Sequence, residues 1–247
     1  MNYSVILPTL NENGHIVQLI ESISTIFQKK NIIFEIIIVD DNSTDGTVET
    51  INTVKHKFNN LELIVRTGLK RNLANSINDG IALARYENII WLDADFQHPP
   101  KYIESFIQEI ANHDVVIASR FLPRSDRYFK KSEISKDVNE NQSYFYNKLC
   151  NFFLYRDLTD FTSGFICLKK FYFENFKLEG YYGNYFVNLI VYLKKKNAKI
   201  IEIPFTDEIR ATGKSKTLVK INFKYIYTCF RYFLTLFLNA IVVRLKY

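Results

Sequence analysis

The segment that most constrains this chain is WLDADFQHPP at residues 91–100, where an apolar run ends in two carboxylates. Residues 87–92 are predicted to form a buried strand, and Asp93 and Asp95 follow it directly, separated by one residue. Carboxylates spaced in this way can converge on Mg²⁺ or Mn²⁺. These ions take oxygen ligands, and substrate phosphates usually supply part of their coordination shell. An isolated Asp-x-Asp is more often a solvated turn, so the rest of the chain must decide between a metal site and a turn.

Two earlier apolar segments predict strands that end in polar loops. Residues 3–7 form the first, and apolar side chains at helical spacing follow it between residues 16 and 27. Residues 32–39 are almost continuously apolar, as in a strand covered on both faces, and they run into Asp40 and Asp41. Because ligands of open α/β sheets bind beyond the carboxyl ends of the strands, we expect a nucleotide near these acids.

Strands and helices continue to alternate along the chain. Further strands are predicted at residues 61–65, 114–118, 165–168 and 199–205, and further helices at residues 71–84 and 181–196. The alternation favours an α/β fold with a mainly parallel central sheet flanked by helices. A chain of 247 residues can bury a full core, so we expect one domain plus an appendage.

Two polar stretches allow alternative interpretations. Residues 43–47, STDGT, are typical of a helix N-cap, and they can serve as a cap, as a ligand contact or as both. Residues 121–141 lack periodicity, which indicates a loop, with helix resuming near Gln142. That loop is either a lid over a bound ligand or a solvated connection.

The balance of charge is modest and uneven. A formal net charge of +6 alongside 26 acidic residues is not that of a nucleic-acid-binding polycation. The basic excess falls in the last third of the chain, which suits contact with phosphate or with an anionic membrane surface. Cys150, Cys167 and Cys229 are far apart, as expected of reduced thiols in a cytoplasmic protein. A strand beginning at residue 3 is expected to leave no room for a signal peptide.

The last segment combines a broad apolar surface with one thin polar stripe. Its polar side chains recur every three or four residues, as Lys220, Lys224, Thr228, Arg231, Thr235 and Asn239. The uncharged run at residues 232–243 is 12 residues long, short of the ~20 that a spanning helix needs. We therefore favour a helix at the membrane interface, peripheral to the inner face of a membrane. The alternative is a helix that packs on the core or forms a dimer.

Several segments together resemble the family 2 glycosyltransferases of the GT-A type. They are SVILPTLNE near the start, VDDNSTDGT at residues 39–47, the acidic segment at residues 91–100 and SGF at residues 163–165. The greatest similarity is to dolichyl (polyprenyl) phosphate mannosyl- and glucosyltransferases, which carry DADxQHPP and an R-x-x-G-x-S-K motif. That motif is present as Arg210, Gly213, Ser215 and Lys216. The resemblance implies a GT-A (Rossmann-like) catalytic domain over residues 1–217. The apolar segment with its polar stripe is the expected membrane-associating amphipathic helix over residues 218–247.

The resemblance also implies an activity and a set of site residues. The activity is a metal-dependent, inverting transfer of a hexose from a GDP-mannose or UDP-glucose type of donor to polyprenyl or dolichyl phosphate. Mg²⁺ or Mn²⁺ is assigned to Asp93, Asp95 and Gln97. The nucleotide sugar is assigned to the same three residues and to Pro8, Leu10, Glu12, Val39, Asp41, Ala94, Arg120 and Lys214. Asn72 departs from the family pattern, replacing a glycine, and Asn139 stands near where the family has an arginine.

The acceptor decides which further residues act. A lipid phosphate is already an anion and needs cations to position it, which Arg210, Lys214 and Lys216 supply on one short loop. A sugar hydroxyl must instead lose a proton in the transition state, and Asp160 is then the candidate base. The alternatives are therefore a saccharide acceptor in capsule or lipopolysaccharide synthesis, and a non-catalytic nucleotide-sugar-binding or membrane scaffold protein. His98 is expected to shape its loop, with approach to the metal as the alternative.

Overall fold

Strands of the described residues form one sheet at the centre of the protein. The computed structural model describes residues 1–123, 138–180, 183–206, 208 and 223–244. The strands are β1 (Tyr3–Thr9), β2 (Phe34–Asp40), β3 (Leu61–Val65), β4 (Asn88–Trp91), β5 (Val115–Ser119), β6 (Ile166–Lys169) and β7 (Ile200–Pro204). Residues of β1, β2, β4 and β5 are almost all buried, as the continuous apolar runs predicted.

Helices cover both faces of this sheet. They are α1 (Ile16–Lys29), α2 (Thr47–Val54), α3 (Leu73–Leu83), α4 (Ile103–Glu109), α5 (Val138–Phe153), α6 (Asn184–Lys195) and α7 (Phe223–Arg244). Two clusters of buried apolar side chains lie on the two faces. One includes residues of α3, α5 and α6, and the other includes residues of α1 and α4.

The strand order confirms the predicted α/β architecture and adds one reversal. The order is β3-β2-β1-β4-β6-β5-β7 in a 7-stranded sheet. β1 pairs in parallel with β2 and β4, β2 with β3, and β5 with β7. β6 runs antiparallel between β4 and β5. Its direction was not predicted, because a short apolar run carries no mark of the strand it will pair with.

The register brings three strand ends to one edge. Pro8 lies opposite Val39, and Thr9 lies opposite Asp40, at the carboxyl ends of β1 and β2. Ile6 of β1 lies opposite Trp91, the last residue of β4. The loops that follow β1, β2 and β4 therefore leave the same edge of the sheet.

Helix boundaries differ from the prediction where local capping decides them. α3 begins at Leu73 because the Asn72 side chain accepts a hydrogen bond from the Asn75 N–H at 3.1 Å. Pro100 opens a single 3₁₀ turn, Pro100–Tyr102, ahead of α4. α5 begins before the predicted Gln142. Most of the predicted lid lies outside the described residues.

The residues predicted to cap α2 also cross-link the first two strand loops. Gly46 occupies the N-cap position, while the Asp45 carboxylate accepts a hydrogen bond from the Thr47 N–H at 3.1 Å. The same carboxylate accepts one from the Asn13 N–H at 3.1 Å. Hydrogen bonding lowers the pKa of Asp45, although burial acts in the opposite direction as the largest contribution. The segment therefore acts as a cap and as a clamp on the neighbouring loop.

Two residues of the predicted polar stripe, Thr235 and Asn239, face the domain. Thr235 accepts a hydrogen bond from the Asn184 side chain of α6 at 3.3 Å, and the Asn239 amide donates to Asn188 at 2.8 Å. The outward side is apolar and exposed, at Phe230, Phe233, Leu234, Phe237, Leu238 and Ile241. Among the described helices, none is both long and apolar enough to cross a membrane. The predicted domain boundary at residues 217 and 218 lies outside the described residues.

Candidate active site

The acidic loop after β4 is tightly folded. Asp95 is only 4% exposed, and its carboxylate accepts a hydrogen bond from the Gln97 N–H at 3.0 Å. Phe96 between them adopts a φ of 63°, which is uncommon for a residue with a side chain. The loop returns on itself at His98, whose Nδ1 accepts a hydrogen bond from the Asp93 N–H at 2.9 Å. The loop conformation is therefore fixed by its own polar groups.

His98 is held in place by aromatic rings and by Gly164. Its ring stacks on Phe165 with centroids 5.0 Å apart and meets the edge of Phe205 at 5.7 Å. Gly164 has a φ of +70°, and a Cβ placed there would lie 3.8 Å from His98 Cε1 and 3.5 Å from the Tyr185 hydroxyl. The SGF segment therefore borders the acidic loop, and this contact gives His98 the loop-shaping role expected of it.

Tyr185 is a site residue that the sequence did not reveal. It lies in the first turn of α6, is only 3% exposed, and its hydroxyl borders Gly164. Burial raises the pKa of the Tyr185 phenol, and the nearby Asp93 carboxylate raises it further. In the sequence, Tyr185 is one aromatic residue in an apolar helix and carries no distinguishing signal.

The loops after β1 and β2 form the adjoining wall. Asp40 is fully buried and accepts hydrogen bonds from Thr9 at 2.9 Å and from the Ser43 hydroxyl at 2.6 Å. The Glu12 N–H donates to the Thr47 hydroxyl at 2.9 Å, and the Glu12 carboxylate lies 3.0 Å from His15. Pro8 and Leu10 are half-buried, Glu12 and Ala94 are buried, and Val39 is fully buried. All five lie on the strand ends, or the loops beyond them, that meet at this edge.

Asp41 is held by an arginine that sequence reasoning missed. Arg66, immediately after β3, donates to one oxygen of Asp41 at 2.6 Å, and the Asn72 N–H donates to the other at 2.7 Å. Arg66 is 5% exposed and also contacts Asp79 at 2.8 Å. Asn72, which departs from the family pattern, thus caps α3 and orients Asp41 at once.

Arg120 and Asp160 form a two-pronged ion pair. Arg120 Nε and Nη2 each donate to Asp160 at 2.8 Å, and the Arg120 N–H adds a third bond at 3.1 Å. Asp160 is fully buried, and burial is the largest influence on it. The Arg120 charge and its hydrogen bonds nevertheless lower the Asp160 pKa. A carboxylate held in this way is a poor proton acceptor, since protonation would break the pair.

A second buried acid supports the same segment. Glu202 of β7 accepts hydrogen bonds from the Thr159 N–H at 2.8 Å and from the Asp160 N–H at 2.8 Å. Burial raises the pKa of Glu202 to about 7, and the neighbouring Asp160 charge contributes in the same direction. The Glu202 carboxylate thus holds in place the backbone that carries Asp160.

The remaining predicted residues divide into two groups. Gln97 is half-buried on the acidic loop. Arg210, Lys214 and Lys216 lie outside the described residues, as does the side chain of Asn139. The predicted phosphate loop is therefore not part of the described site.

The acidic loop suits a hard divalent cation. Asp93, Asp95 and Gln97 offer carboxylate and amide oxygens within one loop whose backbone is fixed by Asp95 and His98. In the described part of the chain, no group of three or more His, Cys, Asp or Glu side chains could hold a metal. Two carboxylates and an amide fit Mg²⁺ or Mn²⁺ when substrate phosphates complete the shell, as is usual for these ions.

A sheet of this order, with an acidic loop after the fourth strand beside the ends of the first two, defines a GT-A-type α/β domain. Structures of glucosyl-3-phosphoglycerate synthase from Mycobacterium tuberculosis share it. One in complex with Mn²⁺, UDP and phosphoglyceric acid aligns with a TM-score of 0.70 at 13% identity, covering 97% of this chain and 78% of that chain. The identity is low, so this similarity shows the fold alone.

The chain belongs to glycosyl transferase family 2, whose model matches residues 4–176. It is 31% identical over 235 residues to the dolichol-phosphate mannosyltransferase of Pyrococcus furiosus, covering 94% of this chain but only 63% of that protein. It is 30% identical over 243 residues to the enzyme of the same name from Saccharomyces cerevisiae, covering 92% of this chain and 85% of that protein. These findings confirm the predicted family.

Proposed function

We propose that this protein transfers a hexose from a nucleotide diphosphate sugar to a polyprenyl phosphate, with inversion at the anomeric carbon. The observation that carries the proposal is the fixed loop of Asp93, Asp95 and Gln97 beside the ends of β1 and β2. The similarity to dolichol-phosphate mannosyltransferases supports the lipid phosphate as acceptor. GDP-mannose and UDP-glucose are the donors to test.

Each wall of the site has a task in this reaction. Asp41 and the loops after β1 and β2 hold the nucleoside, which leaves the diphosphate over the acidic loop. There Asp93, Asp95 and Gln97 would hold Mg²⁺ or Mn²⁺, and the bound ion would stabilise the negative charge of the departing nucleoside diphosphate. Arg120 directs its charge toward the same edge from the end of β5. The acceptor attacks from the face opposite the nucleotide.

The ion pair of Asp160 favours an acceptor that needs no base. A phosphate acceptor is already ionised, whereas a sugar hydroxyl must give up a proton. Asp160 was the candidate base, but Arg120 occupies both of its oxygens and lowers its pKa. We therefore assign Asp160 to positioning Arg120. Arg210, Lys214 and Lys216 remain the proposed cations for the acceptor phosphate.

The outward face of α7 supports attachment to the cytoplasmic face of a membrane. Phe230, Phe233 and Phe237 are 61%, 53% and 63% exposed. On α5, which packs against α7 through Tyr146 and Tyr232, Phe152 is 62% exposed with Arg156 over its ring. Exposed aromatic side chains accompanied by cations are typical of surfaces that lie at a lipid interface.

A transfer assay with matched variants tests the proposal. Radiolabelled GDP-mannose or UDP-glucose is incubated with dolichyl phosphate in vesicles, with Mn²⁺ or with EDTA. We expect metal-dependent transfer to the lipid, which Asp95→Asn abolishes. Asp157→Asn is the control, because its side chain is 66% exposed and its ion-pair partner is Lys194, in the last turn of α6. Transfer to an oligosaccharide but not to the lipid would overturn the acceptor assignment, and no transfer from either donor would overturn the activity.

Membrane attachment has its own test. The protein is sedimented with vesicles of neutral or partly anionic lipid. We expect binding that anionic lipid strengthens, and loss of binding in Phe233→Ser/Phe237→Ser. The control Phe171→Ser removes a side chain of similar exposure, 52%, far from α7 in the chain. Equal binding by all three proteins would contradict the assignment.

A further inference from the structure

Tyr232 of the C-terminal helix contacts the start of α6. Its hydroxyl accepts a hydrogen bond from the Gly183 N–H at 2.8 Å. Its ring meets the edge of Tyr146 at a centroid distance of 4.8 Å, and its carbonyl accepts from the Tyr146 hydroxyl at 3.0 Å. Tyr232 is thus anchored on α5 while its polar tip rests at the start of α6.

The start of α6 is one contact away from the Arg120 ion pair. A Cβ placed on Gly183 would lie 3.6 Å from Thr162 Cβ and 2.9 Å from the Tyr232 hydroxyl. The Thr162 hydroxyl accepts hydrogen bonds from Arg120 at 2.9 Å and from the Asn147 amide at 2.9 Å. The Cα of Gly183 is therefore closely bordered by Tyr232 and by Thr162, the residue that accepts a hydrogen bond from Arg120.

The same helix start also supports the acidic loop. Gly183 is the N-cap of α6, and Tyr185 follows it in the first turn. The Tyr185 hydroxyl borders Gly164, which in turn borders His98. A shift of this helix start would consequently reach the donor side of the site by two routes, through Thr162 and through Tyr185.

We propose that Tyr232 is a positioning residue that couples the seating of the C-terminal helix to the geometry of the active site. The inference rests on the proposed function. It adds that α7 regulates transfer as well as attaching the protein to the membrane. When α7 is seated, Tyr232 fixes the start of α6, and Arg120 is held where charge develops on the departing diphosphate. Displacement of α7 removes the hydrogen-bond acceptor of the Gly183 N–H, and this weakens the contacts through Thr162 and through Tyr185.

A double-mutant cycle between Tyr232 and Gly183 tests the coupling. Tyr232→Phe keeps the ring against Tyr146 but removes the acceptor, so we expect kcat to fall about tenfold, the equivalent of one lost hydrogen bond. The KM for the nucleotide sugar should stay unchanged, because the nucleoside contacts lie elsewhere. Gly183→Ala, which meets the Tyr232 hydroxyl at 2.9 Å, should lower kcat further. The double variant should match Tyr232→Phe, since removing the hydroxyl makes room for the added methyl group.

A second tyrosine and a measurement independent of activity complete the design. Tyr192→Phe removes a hydroxyl that donates to the Tyr172 carbonyl at 2.9 Å near the other end of α6, and should leave kcat unchanged. Hydrogen exchange at the Gly183 and Thr162 amides should be faster in Tyr232→Phe and unchanged in Tyr192→Phe. The coupling would be overturned if the losses of kcat in Tyr232→Phe and Gly183→Ala multiplied in the double variant. Equal losses of kcat in Tyr232→Phe and Tyr192→Phe would also overturn it. If the wild-type protein transfers no sugar, the proposed function fails, and exchange at Thr162 alone then decides whether Tyr232 acts on the site.

Discussion

Replacing His98 isolates the contribution of loop geometry to metal binding. His98→Phe retains an aromatic ring to stack on Phe165 but removes the Nδ1 atom that accepts the Asp93 N–H. A lost hydrogen bond costs about 1 kcal/mol, and up to ~3 kcal/mol when the donor is left without a partner away from water. We take ~1.4 kcal/mol as the binding free energy lost when this hydrogen bond no longer holds Asp93 in place, which corresponds to about tenfold weaker Mn²⁺ binding.

The measurement is a Mn²⁺ titration in the presence of GDP or UDP, followed by electron paramagnetic resonance. His98→Asn supplies an oxygen close to the position of Nδ1 and should recover most of the affinity that His98→Phe loses. His113→Phe is the control, because its ring contacts the Glu109 carbonyl at 2.9 Å, away from the acidic loop. Wild-type affinity in His98→Phe, or equal weakening in the Phe and Asn variants, would refute the role assigned to the hydrogen bond.

Three further substitutions test the framework of the site. Arg66→Leu leaves the buried Asp41 carboxylate without its cation and should lower the free energy of unfolding by ~3–5 kcal/mol in urea denaturation; a loss under ~1 kcal/mol would contradict this. Gly80→Ala places a Cβ 2.5 Å from Ile6 Cγ2. It should therefore lower the free energy of unfolding by ~1–3 kcal/mol, despite the better helix propensity of alanine. A raised melting temperature would contradict this and show that Ile6 can move aside. Glu202 has a folded-state pKa of about 7 against an ordinary value of 4.5. Between these values the folded state binds more protons than the unfolded state, so this group makes stability fall as pH rises, and Glu202→Gln should flatten that part of the melting-temperature profile.

The Arg120 pair also changes how the acceptor question should be tested. Substituting Asp160 would release Arg120 and lower activity with any acceptor, so such a variant cannot separate a base from a positioning residue. Direct competition between dolichyl phosphate and an oligosaccharide avoids this difficulty. We expect only the lipid phosphate to compete for transferred hexose.

The sequence was informative wherever a local pattern decides the structure. Continuous apolar runs identified β2 and β4 as buried strands, and parallel strands place their carboxyl ends at one edge. That rule predicts Asp41 at the same edge as Asp93 and Asp95. The capping of α3 shows the limit, because Asn72 was visible only as a departure from the family pattern. Its side chain proved to be a helix cap whose N–H also holds Asp41.

Tertiary structure alone decided which side chains meet. Arg66 and Asp41 are 25 residues apart, and Arg120 and Asp160 are 40 apart. No periodicity links such positions, since the first pair depends on β2 and β3 lying side by side and the second on the reversal of β6 beside β5. The orientation of α7 is a further case. Its polar stripe is visible in the sequence, but the hydrogen bonds with Asn184 and Asn188 show that Thr235 and Asn239 of that stripe face the domain, while an apolar face stays exposed. Local spacing determines which elements form and what lies at their ends, whereas the choice of partners depends on long-range packing.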